Sequence, residues 1–126
     1  MTMTAARFRR MALGLADASE SAHMGHPDFR VNGRIFASIR ADGHTGMVKL
    51  PPAEQARLVR EQPAVFALES GAWGRAGCTR VTFSDADAEM VGEALTLAWQ
   101  AALAAGPARG SGGRAAVPSP RRSTRR

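Results

Sequence analysis

Residues 26–40 have the sequence HPDFRVNGRIFASIR, in which Asn32-Gly33 separates two stretches that carry β-branched and aromatic residues. An Asn-Gly pair in this setting is a strong signal for a β-hairpin, because both residues tolerate the positive φ angles of a tight turn. The pair therefore predicts two antiparallel strands, at residues 29–30 and 34–40.

The register of this hairpin decides which side chains share a face of the sheet. A two-residue turn at Asn32-Gly33 pairs Val31 with Arg34 and divides the apolar residues between both faces. A three-residue loop over 31–33, with glycine in the left-handed conformation, pairs Arg30 with Arg34 instead. Because a shift of one residue exchanges the two faces, burial favours the three-residue loop. That register turns one apolar set toward the core: Phe29, Ile35, Ala37 and Ile39.

The opposite face of the predicted sheet gathers cations around an aromatic ring. Alternation in the later strands turns Val48, Leu50, Val81 and Phe83 inward, with Asp28 as the one acid expected outside. The predicted open-face set is Arg30, Arg34, Arg40, Lys49, Arg80 and Phe36. Cations beside an aromatic ring suit a nucleic-acid surface. The alternative is an ordinary polar face in a chain with 16 arginines and one lysine.

Helix signals flank the hairpin. Apolar residues at the i, i+3, i+4, i+7 spacing predict a first helix over about residues 4–17. Pro51-Pro52 predicts the start of a second helix, which Pro63 ends, because proline suits a first turn and stops a helix elsewhere. Ser84 is the predicted N-cap of a closing helix that runs to about Ala105.

Further strands complete the predicted sheet. Strands or extended segments are expected at residues 20–24, 45–50, 65–68 and 79–83, with a loop at 71–77. Helix, antiparallel strands, helix, strand and helix in this order are typical of an α+β sandwich, an antiparallel sheet with helices packed on one face.

The net charge of +6 belongs to one end of the chain. Residues 1–100 carry 11 cations and all 11 acids, whereas six arginines lie between 109 and 126. We therefore expect a folded domain over 1–105 and a disordered, arginine-rich tail over 106–126, where apolar residues are too few to offset the entropy of ordering. The tail is either a solubilising extension or a phosphate-binding arm.

Several function classes lack support in the sequence. No apolar run approaches the roughly 20 residues of a membrane span, and one cysteine, Cys78, excludes an internal disulfide, so we expect a cytoplasmic protein. His23 and His26 form one closely spaced pair, but His44 and Cys78 do not supply the second pair that a zinc site usually has. The glycines of 71–77 lack the context of a phosphate loop. We expect no metal, no cofactor and no catalytic activity, with Cys78, Trp73 and Trp99 serving in packing.

Several motifs in order resemble the MmcQ/YjbR family. They are His23-x-x-His26-Pro-x-Phe29, Gly33-Arg34-Ile35-Phe36-Ala37, Val48-Lys49-Leu50-Pro51, Trp73-Gly74-Arg75-x-Gly77-x-Thr79-x-Val81 and Ala98-Trp99. The resemblance implies a sandwich similar to bacterial frataxin, a CyaY-like fold, and a DNA-binding role without established catalysis. Similar proteins often have tryptophan where this chain has Cys78, which weakens the expectation of base stacking by this loop.

Two functions follow as hypotheses. The first is a DNA-binding protein with little sequence preference, which uses the open sheet face, the loop around Arg75 and the basic tail. The second is a protein-interaction module, as a homodimer or as a binder of an acidic protein, which uses the same face without catalysis.

Overall fold

The computed structural model describes residues 3–23 and 25–108. Its helices are α1 (Ala5–Leu13), α2 (Pro52–Glu61), α3 (Gly71–Arg75) and α4 (Ala88–Ala104). Its strands are β1 (Ser19–His23), β2 (His26–Val31), β3 (Arg34–Ile39), β4 (Thr45–Lys49), β5 (Phe66–Leu68) and β6 (Cys78–Thr82). The six strands form one antiparallel sheet in the order β1-β2-β3-β4-β6-β5, which confirms the α+β class.

The core lies between the sheet and the helices, chiefly α1 and the long α4. The Phe8 ring of α1 packs 6.3 Å from the Phe29 ring and 5.1 Å from the Phe83 ring. Gly46 lies beneath these rings, and a Cβ atom there would be 3.0 Å from Phe83 and 3.1 Å from Phe8. The absence of a side chain at Gly46 thus lets the aromatic layer sit directly on β4.

The hairpin adopts the register that the sequence analysis rejected. Val31 pairs with Arg34 across a two-residue turn, in which Asn32 and Gly33 both have positive φ angles of 56° and 76°. These angles suit a type I′ turn, whose twist matches that of the strands. The preferred three-residue loop, with Arg30 opposite Arg34, is therefore wrong.

A β-bulge resolves the conflict that had favoured the other register. Arg30 pairs with Ile35, but the next β2 residue, Phe29, pairs with Ala37, so that β3 holds one extra residue. The extra residue shifts the alternation, and the adjacent Phe36 and Ala37 are both fully buried. A bulge can thus satisfy burial after a tight turn without a change of turn length.

The register places Arg30 and Arg34 on opposite faces of the sheet. Arg34 lies opposite the buried Val31 on the helix side, whereas Arg30 and its half-buried partner Ile35 lie on the open side. The predicted open face that contains both arginines is wrong for this reason. Leu50, Val48 and Val81 are buried, as predicted.

Two local predictions near the second half of the chain also need correction. Residues 71–75 form the short helix α3 where a loop was expected. Ser84 lies in a 3₁₀ turn (Phe83–Asp85), and Asp87 is the cap of α4, because its side chain accepts a hydrogen bond of 2.9 Å from the Met90 amide. The buried Ala86 separates the turn from the helix and delays the helix start.

The chain beyond α4 begins against the hairpin. The Ala108 amide donates a hydrogen bond of 2.9 Å to the Asn32 carbonyl. The predicted disorder of the tail concerns mainly residues 109–126, which lie outside the described residues. No helix of the described part has the length and apolar character to cross a membrane.

Candidate functional site

A cleft opens where β3 and β4 part. Their described pairing ends at Ala37 and Val48, while the next β4 residue, Lys49, pairs on its other side with Cys78 of β6. The bulge in β3 lies at this end of the strand. A cleft of about 720 Å³ occupies the gap, which is within the usual size range of ligand sites.

The cleft owes its space to small side chains on α4. Ala98, Ala101, Ala102 and Ala105 all line it, at the spacing that places residues on one stripe of a helix. Ile35 and Met47 form apolar walls above them. An apolar floor with polar groups at the rim is the usual composition of a binding cleft.

Arg34 reaches the cleft from the helix side of the sheet. Its Nε donates to the Gly106 carbonyl at 2.6 Å, and its Nη2 donates to the Ala105 and Pro107 carbonyls at 3.3 and 3.4 Å. These carbonyls follow the last turn of α4, where a positive charge is favourable. Arg34 therefore joins the end of α4 to the hairpin and lines the cleft at the same time.

Arg30 reaches the same cleft from the open side, but an acid holds it. Its Nε and Nη2 donate to the two carboxylate oxygens of Asp28 at 2.8 and 3.1 Å. The Asp28 side chain is only 2% exposed and that of Arg30 is 33% exposed. The hydrogen bond to Asp28 raises the pKa of the Arg30 guanidinium. This bidentate pair offsets much of the charge that Arg30 presents.

A second acid lies among the open-face cations, where the sequence analysis expected only Asp28. Glu69 bonds Arg40 through one carboxylate oxygen, and its other oxygen lies 4.0 Å from Arg80 Nη1. The Glu69 side chain is 13% exposed. Its position follows from β5 pairing beside β6, since the Glu69 amide donates to the Cys78 carbonyl just past the paired residues.

Lys49 and Arg75 differ from these arginines. Both are exposed, and the ion pairs within residues 3–23 and 25–108 include neither. Lys49 lines the cleft, and Arg75 ends α3, two residues after the cleft residue Trp73. Of these two exposed cations, Lys49 belongs to the lining of the cleft and Arg75 lies in the helix that carries Trp73.

The two predicted roles of aromatic residues are exchanged in the structure. Phe36, a predicted base contact, is fully buried and cannot touch a ligand. Trp73, expected to pack, is 73% exposed at the cleft rim. Trp99 does pack, because it is half-buried and its Nε1 donates to the Ala16 carbonyl at 2.9 Å.

A buried glutamine that the sequence analysis did not single out holds α3 in place. Gln55 Nε2 lies 3.1 Å from the Gly74 carbonyl, 3.3 Å from the Cys78 carbonyl and 3.0 Å from Thr79 Oγ1. Gly74 itself lies so near the Glu69 carbonyl that a Cβ atom would clash with it. These contacts fix the helix that carries Trp73 and Arg75. Gln55 could have been noticed in the sequence as a polar residue on the inward side of α2, because a buried polar side chain needs hydrogen-bond partners.

Cys78 is a buried residue in the wall of the cleft, as its packing role predicts. Burial raises the pKa of its thiol; the positive charge of Lys49 lowers it, and the negative charge of Glu69 raises it. The thiol is thereby kept protonated and weakly reactive. In the described part of the chain, no group of three or more His, Cys, Asp or Glu residues could hold a metal ion.

Comparisons with known proteins identify relatives of the fold. A family model described as YjbR matches residues 13–101. The crystal structure of a Deinococcus radiodurans protein with a DUF419 domain is similar at 21% sequence identity and a TM-score of 0.64, over 78% of this chain and 77% of that chain. At this identity the likeness concerns the fold. No curated protein matches the sequence at a significant level.

Proposed function

This chain belongs to the YjbR family, and on that premise we propose that it binds DNA with little sequence preference at the mouth of the cleft. The carrying observation is that Lys49, which lines the cleft, and Arg75, in the short helix that carries the cleft residue Trp73, are both exposed and take no part in the ion pairs of the described residues. Cations of this kind attract phosphates of any sequence.

The proposed site is smaller than the whole open face. Arg40 and Arg80 share Glu69, and Arg30 is held by Asp28, so a phosphate would have to compete with a carboxylate at each of them. Arg34 already donates to three backbone carbonyls. Lys49 and Arg75 supply the domain's main phosphate contacts in this proposal. The six arginines of 109–126 add further charge of the same sign.

The test is a salt titration of duplex DNA binding by fluorescence anisotropy with the full chain. Lys49→Ala combined with Arg75→Ala removes two phosphate contacts. The slope of log K against log salt should therefore fall by about 1.8, with affinity about tenfold lower near 0.1 M salt. The matched control, Arg40→Ala with Arg80→Ala, also removes two cations, but we expect less than about a twofold change, because Glu69 offsets them.

A third variant isolates the basic tail. Replacement of its six arginines by serine, in a full-length chain, should reduce the salt slope further while leaving the difference between the two double variants intact. Equal losses in both double variants would mean that the domain contributes only its overall charge. If the serine variant does not bind DNA even at low salt, the domain has no DNA site and the proposal is wrong.

A second candidate function has an observation of its own. β5 is an edge strand of the sheet, and its Leu68 is 48% exposed. Edge strands offer unpaired backbone groups to another chain, so we propose, as the alternative, a protein-interaction module that pairs with a second copy along β5. Light scattering of the wild type and of Leu68→Lys distinguishes the two: only a dimer through β5 would change mass in the variant.

A further inference from the structure

We infer that the cleft holds one unpaired nucleotide of a DNA single strand, with its base stacked on Trp73 and its phosphates at the cationic rim. This inference rests on the proposed function and deepens it, since it names the form of DNA that the site prefers. The observation that carries the inference is that a strongly exposed tryptophan, Trp73, and an exposed cation, Lys49, line the same cleft beside its apolar floor.

The shape of the site favours an unpaired base. A volume of about 720 Å³ accommodates a nucleotide, and the alanines of α4 form a floor without long side chains. The bases of a duplex are stacked and paired inside the helix, so they cannot enter a concave site without being extruded. A base of a single strand is already free to enter and to stack on an aromatic ring.

Lys49 supplies the positive charge at the rim of the cleft. It lines the cleft, is exposed and takes no part in the ion pairs of the described residues. Arg30 and Arg34 also line the cleft, but Asp28 holds the first and the carbonyls after α4 hold the second, so the phosphate next to an inserted base would lie at Lys49. A positively charged groove with an aromatic platform is the arrangement that single-strand binding requires.

Trp73 is held in an exposed position by the fold. The α3 backbone on which it lies is fixed by the hydrogen bond from Gln55 to the Gly74 carbonyl and by the close approach of Gly74 to Glu69. These contacts fix the backbone that carries the ring, and the ring itself is 73% exposed at the rim. A platform that is fixed before binding costs less conformational entropy when a base stacks on it.

The experiment separates base stacking from phosphate binding in the full-length protein. Three probes of equal length are compared by anisotropy at moderate salt: oligo-dT, the same backbone with abasic sites, and a duplex. We expect oligo-dT to bind about 5- to 150-fold more tightly than the abasic strand, because stacking of one base contributes that range. Trp73→Ala should abolish this difference, and Trp73→Phe should retain most of it.

A second readout reports on the ring itself. In the Trp99→Phe variant, Trp73 is the one remaining tryptophan of the sequence, and its fluorescence should be quenched by oligo-dT but not by the abasic strand. The cleft is tested with Ala101→Phe, which fills the floor, against Ala104→Phe, an exposed position of α4 outside the cleft lining. Only Ala101→Phe should lose the preference for oligo-dT while duplex binding stays unchanged.

The outcomes distinguish two failures. Equal binding of oligo-dT and the abasic strand, with no effect of Trp73→Ala, would overturn the stacking inference and leave a phosphate-binding protein. Failure of all three probes to bind at low salt would overturn the proposed function as well. Tighter binding of the duplex than of oligo-dT would also overturn the inference, because a paired base cannot occupy the cleft.

Discussion

Two groups of cations on the protein differ in what they contact. Arg30, Arg40 and Arg80 lie along the open side of the sheet, and each faces a carboxylate of Asp28 or Glu69. Lys49 lines the cleft and Arg75 ends α3, and both are outside the ion pairs of the described residues. The difference teaches that a row of arginines along strands does not by itself make a positive surface, because the acids that pair with them decide how much positive potential remains.

The two groups also differ in what they do for stability. Removing a cation from beside a buried acid leaves an uncompensated charge in the protein interior. Removing an exposed cation without a partner changes the unfolding free energy little. Arg30, beside the buried Asp28, should therefore appear in unfolding experiments, and Lys49 and Arg75 in binding experiments.

The largest expected effect is on the support of the cleft. Gly74→Ala should lower the free energy of unfolding by about 3 kcal/mol or more, because the new Cβ atom clashes with the Glu69 backbone and α3 must move. Urea unfolding measures it. Gly92→Ala is the control, since its Cβ atom would meet only Met11 Cε at 3.5 Å. There a gain of about 0.5 to 1 kcal/mol is expected from helix propensity.

The next effect concerns the buried acid of the open side. Arg30→Met leaves Asp28 buried without its partner and should cost about 2 to 3 kcal/mol of unfolding free energy. Adding Asp28→Asn to this variant should recover part of the loss, because the stranded charge is removed. If the single and double variants are equally unstable in urea, the charge of Asp28 is not what Arg30 compensates.

A smaller effect is expected on the pKa of Cys78, which is influenced by one residue from each side of the comparison, Lys49 and Glu69. Cys78 should react with a thiol reagent along a pH profile whose midpoint lies above that of an ordinary cysteine, because burial raises its pKa. Glu69→Gln should move the midpoint down and Lys49→Met should move it up, since the charges of these residues act in opposite directions. Shifts of the opposite sign would contradict the placement of Cys78 between them.

The smallest effect is expected at Arg40. Arg40→Gln should reduce the unfolding free energy by about 0.5 kcal/mol, because its side chain is exposed and Arg80 remains near Glu69. The value is read from urea unfolding beside Arg30→Met. If Arg40→Gln lowers the unfolding free energy as much as Arg30→Met does, the exposed Arg40–Glu69 pair and the buried Arg30–Asp28 pair do not differ in their contribution to stability.

Much of the fold could be predicted from local sequence signals. Asn32-Gly33 located the hairpin, Pro51-Pro52 located the start of α2, and the apolar spacing of the first and last helices located α1 and α4. Each of these signals acts within a few residues, so it does not depend on the rest of the chain. The family resemblance is confirmed by the match over residues 13–101.

The site could not be predicted to the same extent, because it depends on one inserted residue. Because of the bulge at Phe36, Arg34 and Ile35 lie on the faces opposite to those predicted. The prediction assumed regular alternation along β3, and an extra residue breaks that alternation. Glu69 meets Arg40 and Arg80 only through the order of the strands in the sheet. The position of α3, which carries the exposed Trp73, depends on a hydrogen bond from Gln55, a residue distant from this helix in sequence.

The link between Ala108 and the hairpin turn has a consequence for the arginines that follow it. Ala108 bonds Asn32 and also lines the cleft, so the basic segment is attached at the site itself. Once a DNA strand is bound in the cleft, its contact with these arginines is intramolecular, and the effective concentration of the arginines reaches the millimolar range. The two weak contacts then add to one higher affinity. Longer oligonucleotides, which can reach both sites, should show a larger gain in affinity than short ones.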